Sequence, residues 1–325
     1  MTAPVLEIHL SDSDAADALQ HDVRVGLSAD PKWLPPKWFY DARGSELFEE
    51  ITVLPEYYPT RTERELLRRS VGQIAARAAV DTLVELGSGS SEKTRLLLNQ
   101  LAATGSLRRY VPLDVSESAL RAAMAAVTRE YPALAVHGVV GDFTEPLELL
   151  PASQGGRRLV AFLGGTIGNL LPAERTGFLA ALRAALEPGE LLLLGAGLAT
   201  DPAVMVPAYD DAAGVTAEFN RNVLHVLNRE LGADFVVDAF DHLAVWDAAE
   251  EWIEMRLRAR RAMTVQLPAV GMTVRYAKGE EMRTEVSGKF RRDRLGAELF
   301  DAGFGDQVWW TDPRKRFTLV LAEAA

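Results

Sequence analysis

The sequence predicts an α/β protein: a parallel, Rossmann-like sheet flanked by helices, joined to a second α+β domain. Three observations predict it. Strand-like and helix-like runs alternate from Asp81 to about residue 195, the rhythm of a parallel sheet with helices on both faces. The first of those strands runs into Gly87-Ser88-Gly89 and opens a helix. That is the turn such sheets offer to a nucleoside or phosphate, because glycine permits a tight turn and a close backbone approach. After residue 198 the pattern changes to short strand-like runs, as in an antiparallel insertion. With 325 residues, 48% hydrophobic and 25% charged, the chain is long and apolar enough for two domains of ordinary size.

Residues 11–28 have a Ser/Asp start and apolar residues at helical spacing, so a capped helix is expected. Pro31, Pro35 and Pro36 break that pattern, and Trp38, Phe39 and Tyr40 form an aromatic cluster. A short helix is expected over 45–54. Pro55 and Pro59 then pin an ordered loop. Residues 62–79 read as a helix with Glu63, Glu65, Arg64, Arg68 and Arg69 on solvated faces. Strands are expected at 82–86, 109–114, 135–140, 158–164 and 190–195, and helices at 92–104, 116–130 and 172–187. A helical piece at 202–228 leads to strand-like runs at 234–240, 243–246, 251–263, 272–276 and 282–290. A helix at 293–302 and a terminal hairpin would complete a seven-stranded sheet. These runs imply one domain from 62–197 and 290–325, and a second from 1–61 and 198–289 that covers the site.

Composition narrows the function. The net charge of −11 argues against general nucleic-acid binding and against an anionic membrane surface. With no cysteine, disulfides, thiolate catalysis and Cys-ligated metals are excluded. His9, His21, His137, His225 and His242 lack metal-ligand spacing, and no metal is expected. Met1 to Leu10 has no signal-peptide pattern. The longest apolar run, Leu191 to Ala199, is too short to span a bilayer. The expectation is a cytoplasmic monomer acting on a small molecule, with no nucleic-acid or membrane partner.

The glycine turn carries the first chemical hint. A dinucleotide fingerprint has a third glycine, and here that position is Glu92, which disfavours a dehydrogenase. Glu85, two residues before Gly87, suits a cationic ligand better than a pyrophosphate. S-adenosylmethionine (SAM), with an ammonium and a sulfonium, fits, and Glu85-x-Gly87-x-Gly89 is similar to the first motif of class I SAM-dependent methyltransferases. Asp114 ends the second strand 25 residues after Gly89, near the spacing of an acid that binds ribose hydroxyls; it could instead cap the next helix. Asp142 and Phe143 follow the third strand, where an acid and an aromatic suit adenine. Asn169 follows the fourth, after Gly164, Gly165 and Gly168, and is either a ligand contact or a cap before Pro172.

Taken together, the chain resembles the histidine-specific SAM-dependent N-α-methyltransferases of ergothioneine biosynthesis over nearly its whole length. The stretches that carry the resemblance are 35–41, 54–63, 85–89, 141–143, 166–170, 208–211, 219–222 and 284–287. The resemblance implies a class I methyltransferase fold, SAM as methyl donor and free L-histidine as acceptor. It implies that Tyr57, Asn169 and Tyr209 meet the substrate's α-amino and α-carboxylate groups. Glu285 and Ser287 would meet its imidazole, with Met255 lining that pocket. Tyr40, Gly87, Lys93, Asp114, Asp142 and Phe143 would form the SAM site. Two positions depart from the pattern: Gly288, where a larger residue such as Cys is familiar, and Gly165, where Ser is. A related enzyme for another amino acid, such as tryptophan, and a non-catalytic SAM-binding regulator are the alternatives.

Physical chemistry bears on two of these roles. Glu285 and Ser287 are two apart, so in a strand they share a face. A carboxylate accepts and a hydroxyl donates, which matches an imidazole with one N–H and one bare nitrogen. On a solvent-facing strand the same pair would be mere surface. The attacking amine must be neutral, and the phenol of Tyr40 is the candidate for holding or receiving its proton. Three methyl additions end in a quaternary ammonium, which aromatic faces tolerate. Tyr40, Tyr57 and Phe39 could be such walls, or core packing.

Overall fold

The computed structural model describes residues 4–89, 91–143 and 156–325. In chain order the elements begin with β1 (Val5–Ile8), α1 (Asp12–Ser28), β2 (Lys32–Trp33), α2 (Ala42–Val53) and α3 (Tyr58–Ala78). The alternating part follows: β3 (Thr82–Leu86), α4 (Thr94–Ala103), β4 (Arg109–Asp114), α5 (Glu117–Glu130), β5 (Ala135–Val140), β6 (Arg158–Phe162), α6 (Pro172–Ala184) and β7 (Leu191–Gly197). Next come α7 (Pro202–Met205), α8 (Val215–Leu231), β8 (Phe240–Asp247), β9 (Trp252–Ala259), β10 (Met263–Leu267), β11 (Met272–Tyr276) and β12 (Glu281–Gly288). The chain closes with α9 (Arg292–Asp301), β13 (Phe304–Thr311) and β14 (Phe317–Ala324). The chain divides into two compact units, one of Met1–Leu10, Pro59–Leu198 and Phe290–Ala325, the other of Ser11–Tyr58 and Ala199–Lys289.

The first unit holds one sheet in the order β1-β5-β4-β3-β6-β7-β14-β13. All its pairings are parallel except those of β14, which runs antiparallel to β7 and β13. From β3 the chain winds outward through β4 and β5, then returns to the other side at β6, so the strand order reverses between β3 and β6. Ligands bind at the carboxyl ends of strands beside such a reversal. Every residue of β3 and of β6 is buried. Their side chains alternate between two cores. Leu83, Leu159 and Ala161 join Leu67, Leu97 and Leu120 on one face; Val84, Leu86, Val160 and Phe162 join Phe178, Leu182 and Leu295 on the other.

The sheet has one strand more than the seven expected. β1 pairs in parallel with β5 at the edge. Four residues with two exposed apolar side chains, Val5 and Ile8, carry little local signal, and the pairing with β5 decides their conformation. Helix α3 also starts earlier than the proline rule suggests. Pro59 lies in its first turn, where the missing N–H is not needed, so only Pro55 belongs to the loop.

The second unit has a four-stranded sheet, β2-β12-β9-β8, and a two-stranded hairpin, β10-β11. Its core joins Leu19, Val23 and Leu27 of α1, Phe219, Val223 and Leu227 of α8, and Ile253, Met255 and Leu257 of β9. Three expectations are corrected here. The helix expected at 202–228 is broken. Pro207 ends the first piece in a 3₁₀ turn at Val206–Ala208, Gly214 takes φ of 79°, and Asp211 accepts N–H groups of Val215 (3.1 Å) and Thr216 (2.7 Å) at the start of α8. Tyr209 lies in that break. The runs 234–240 and 243–246 give one strand, β8, because Asn228 occupies both backbone groups of Phe235 at 2.9 Å and keeps 234–239 out of the sheet. The run 251–263 ends as β9 at Ala259, and its tail begins β10.

Candidate active site

Of the predicted SAM-site residues, Gly87, Lys93, Asp114, Asp142 and Phe143 lie in the first unit, near the carboxyl ends of β3, β4 and β5, and Tyr40 lies in the second. Gly87 and Gly89 both take positive φ, 66° and 48°. The N–H groups of Gly87 and Ser88 donate to the Leu113 carbonyl at 2.9 and 3.1 Å, which ties the turn to β4. A side chain on Gly87 would meet only the Phe143 ring, at 3.6 Å, so an aromatic face stands beside an open backbone. Phe143 itself is braced by Phe162 and Phe178, with ring centroids 5.2 and 6.2 Å away. Asp142 is buried next to it.

Asp114 does not cap the following helix; the Ser116 hydroxyl does, accepting from Ala119 N–H at 3.3 Å. Instead the Asp114 carboxylate accepts from Gly89 N–H at 2.8 Å and Ser116 N–H at 2.9 Å. It thus shapes the glycine turn while keeping lone pairs for a ligand. Burial raises its pKa, against the hydrogen bonds from Ser116 and Gly89 that lower it.

Glu85 is not the open carboxylate the sequence suggested. It is buried and accepts from the hydroxyls of Thr94 and Tyr110, and Tyr110 meets Ser91 at 2.8 Å. Desolvation raises its pKa from 4.5 to about 7, against the opposing pull of the Thr94 and Tyr110 hydrogen bonds. A carboxyl raised on folding contributes stability that is fully present below the unfolded pKa and is lost as pH rises through the folded one. Urea titrations should therefore show the native protein losing about 3 kcal/mol, relative to Glu85→Gln, between pH values of about 4.5 and 7. Parallel pH profiles for the two proteins would refute this.

Lys93 and Asn169 stand at the β3–β6 reversal. Lys93 Nζ pairs with Glu63 on α3, whose side chain is wholly buried. The other Glu63 oxygen accepts Gly164 N–H at 2.8 Å. Gly195 leaves room for it, since a side chain there would come within 2.3 Å of Glu63 Oε1. Asn169 ends the 3₁₀ turn Thr166–Asn169 that follows Gly164 and Gly165, whose φ values are 82° and 73°. Glycine rather than serine at 165 suits that left-handed conformation. Sequence reading placed Glu63 in solvent. The signal against this was its spacing with Leu66, Leu67, Ser70 and Ile74, which form the buried stripe of α3.

In the second unit the structure brings Tyr40, Tyr57, Tyr209, Met255, Glu285 and Ser287 together. β12 pairs with β9 so that Glu285 faces Met255 and Ser287 faces Ile253. Cross-strand partners share a face, so Glu285, Ser287 and Met255 line one surface. A bulge between Arg283 and Glu285 sets that register. There Thr284 donates to Asn220 Oδ1 at 2.6 Å and is within 3.0 Å of the Met255 carbonyl. Asn220 also donates to His242 Nδ1 at 2.8 Å, which leaves His242 Nε2–H to donate to the Tyr209 carbonyl at 2.8 Å. His242 is thus a buried structural link that fixes the Tyr209 segment; desolvation lowers its pKa.

An aromatic chain runs through the same unit. Tyr40 packs edge-on to Phe48 (5.6 Å), Phe48 to Tyr57 (6.3 Å) and Tyr57 to Tyr209 (6.3 Å). Phe48, not Phe39, continues it: Phe39 is fully buried against Phe219 at 4.7 Å and belongs to the core. Tyr40 is 37% exposed. Its backbone is held from both sides, because Asn222 donates to the Phe39 carbonyl (3.1 Å) and to Asp41 (2.7 Å). Asp41 in turn caps α2 through Gly44 N–H at 2.8 Å.

A model of the histidine-specific, SAM-dependent methyltransferase family matches residues 19–324. The chain belongs to that family. It is 57% identical to the histidine N-alpha-methyltransferase of Mycolicibacterium smegmatis over 97% of both chains. It is 55% identical to that of Mycobacterium tuberculosis, again over 97% of both. Ergothioneine biosynthesis protein 1 of Neurospora crassa is 28% identical over 94% of this chain and 36% of its own length.

One buried charged residue of the second unit was missed by sequence reasoning. Lys289 is buried, and its ammonium donates to Tyr209 Oη and to Ser287 Oγ, each at 2.7 Å. The two hydroxyls are 2.8 Å apart. Burial pushes the lysine pKa down to about 8, opposed by Tyr58 and Glu285. Burial pushes the Tyr209 phenol up, and the Glu285 charge adds to it. Lys289 continues the two-residue alternation Glu285, Ser287, Lys289, which was the available signal.

Proposed function

We propose that this methyltransferase transfers three methyl groups from SAM to the α-amino nitrogen of free L-histidine. The product is Nα,Nα,Nα-trimethylhistidine (hercynine), destined for ergothioneine. The observation that carries the substrate is the acceptor–donor pair Glu285 and Ser287 on one face of β12, with Met255 opposite. In this reading the imidazole N–H donates to Glu285 and its bare nitrogen accepts from Ser287. Tyr57, Tyr209 and Asn169 orient the α-carboxylate and α-amine. In this reading the enzyme is a cytoplasmic monomer that needs no metal.

The first unit suits SAM on its own geometry. The open backbone at Gly87 beside Phe143 admits a flat adenine, with Asp142 near its amino group. Asp114, beside the glycine turn, is assigned to the ribose hydroxyls, and Lys93 to the carboxylate. SAM supplies an activated methyl group. The amine nitrogen forms the new bond to the methyl carbon as the carbon–sulfur bond breaks, its pair passing to the departing thioether sulfur. Orientation by the binding residues supplies much of the rate, because the methyl is already activated. A proton leaves the nitrogen in each of the first two rounds, and again before the third attack, and the Tyr40 oxygen holds or receives it.

Tyr40→Phe should slow methylation by about a hundredfold or more, the size of a lost proton-handling group, while histidine affinity changes little. Single-turnover rates and calorimetric titrations would check this; weakened binding with an unchanged rate would contradict it. The extent of reaction is tested by following histidine and excess SAM by mass spectrometry. Accumulation of a product three methyl groups heavier supports the proposal, and arrest at one methyl refutes it.

A further inference from the structure

Lys289, Ser287 and Tyr209 form a closed triangle of hydrogen-bonding groups, with edges of 2.7, 2.7 and 2.8 Å. All three residues are less than a tenth exposed, so water does not compete freely inside it. The proton inventory of this triangle is restrictive. An ammonium has three donors and no acceptor, and a hydroxyl has one donor and two lone pairs. Lys289 therefore gives one proton to each oxygen. The remaining edge needs one hydroxyl to donate to the other. Either hydroxyl could supply it at 2.8 Å; the phenol is the stronger acid, so the donor role is assigned to Tyr209 and the acceptor role to Ser287. Both Ser287 lone pairs are then occupied, one by Lys289 and one by Tyr209, and its own O–H is the single group it has left to offer.

We propose that Lys289 is a specificity-determining positioning residue that turns Ser287 into an obligate donor. Beside it, Glu285 has only acceptor capacity. The pair then reads a ring with one N–H and one bare nitrogen and discriminates against rings lacking either. Without the ammonium, Ser287 regains a lone pair, its hydroxyl can rotate, and the donor is no longer aimed. This inference rests on the placement of the imidazole between Glu285 and Ser287.

The test compares L-histidine with thienylalanine, an amino acid whose five-membered aromatic ring carries no nitrogen. Affinities for both are measured calorimetrically on the full chain saturated with S-adenosylhomocysteine, whose own binding reports an intact SAM site. The native protein should prefer histidine strongly. Lys289→Met should lose about tenfold in histidine affinity, the size of one directed hydrogen bond, and leave thienylalanine affinity unchanged. Adding Ser287→Ala to Lys289→Met should cost nothing further. Lys289→Gln, which keeps a donor, should recover part of the preference and serves also where the Met variant does not fold. A lysine that only supports the fold would weaken both ligands alike, and that result overturns the proposal. So does a histidine preference that survives undiminished in both variants. Equal binding of the two ligands by the native protein would instead overturn the imidazole pocket itself, and the proposal with it.

Discussion

Glu285→Ala should raise the dissociation constant for histidine by about ten- to a hundredfold, the equivalent of roughly 1.5–3 kcal/mol for a hydrogen bond to a charged group. The carboxylate is held on the same face as Ser287 and Met255 by the β9–β12 register. On the proposed reading, removing it leaves the ring N–H without its acceptor and spares the groups assigned to the α-carboxylate and α-amine. S-adenosylhomocysteine should bind as tightly as before, since Glu285 is not among the residues proposed to hold it. Calorimetric titration with each ligand separates the two effects. An unchanged histidine affinity would remove Glu285 from the pocket.

The larger structural penalty is expected at Glu63. Glu63→Ala removes one partner of a buried ion pair, leaving Lys93 with its charge uncompensated and Gly164 N–H without an acceptor. Breaking such a pair costs about 3–5 kcal/mol. Because Lys93 is 24% exposed, the lower end applies. The same change releases Lys93 from the β3–β6 reversal, so S-adenosylhomocysteine affinity should fall alongside stability. Glu63→Gln keeps the acceptor for Gly164 and should lose less of both. Chemical denaturation and calorimetry would measure these losses. A change below about 1 kcal/mol, the range of an exposed pair, would show that Glu63 is not the anchor described here.

Why some of this was legible in the sequence and some not follows from particular residues. The strands β3 to β7 are buried on both faces, so they read as continuous apolar runs between helices and their order follows from the rhythm. The glycines at 87 and 89 were legible because the turn demands positive φ. β1 was not, since four residues gain their conformation from β5. The helix expected at 202–228 failed because Pro207 and Gly214 break it, and that break is what positions Tyr209. Glu63 and Lys289 were missed for a shared reason. Charged side chains are normally solvated, and only their spacing with buried neighbours marked these two as interior. The reverse happened at Glu85, which looked available to a ligand and is engaged by Thr94 and Tyr110.

The most direct test is to incubate the purified protein with SAM and an equimolar mixture of the common amino acids, then weigh every product by mass spectrometry. Histidine alone should be consumed, and trimethylhistidine alone should appear. Methylation of tryptophan or another amino acid in preference to histidine would keep the fold and contradict the Glu285–Ser287 pocket. Tight SAM binding with no methylated product at all would contradict the enzyme.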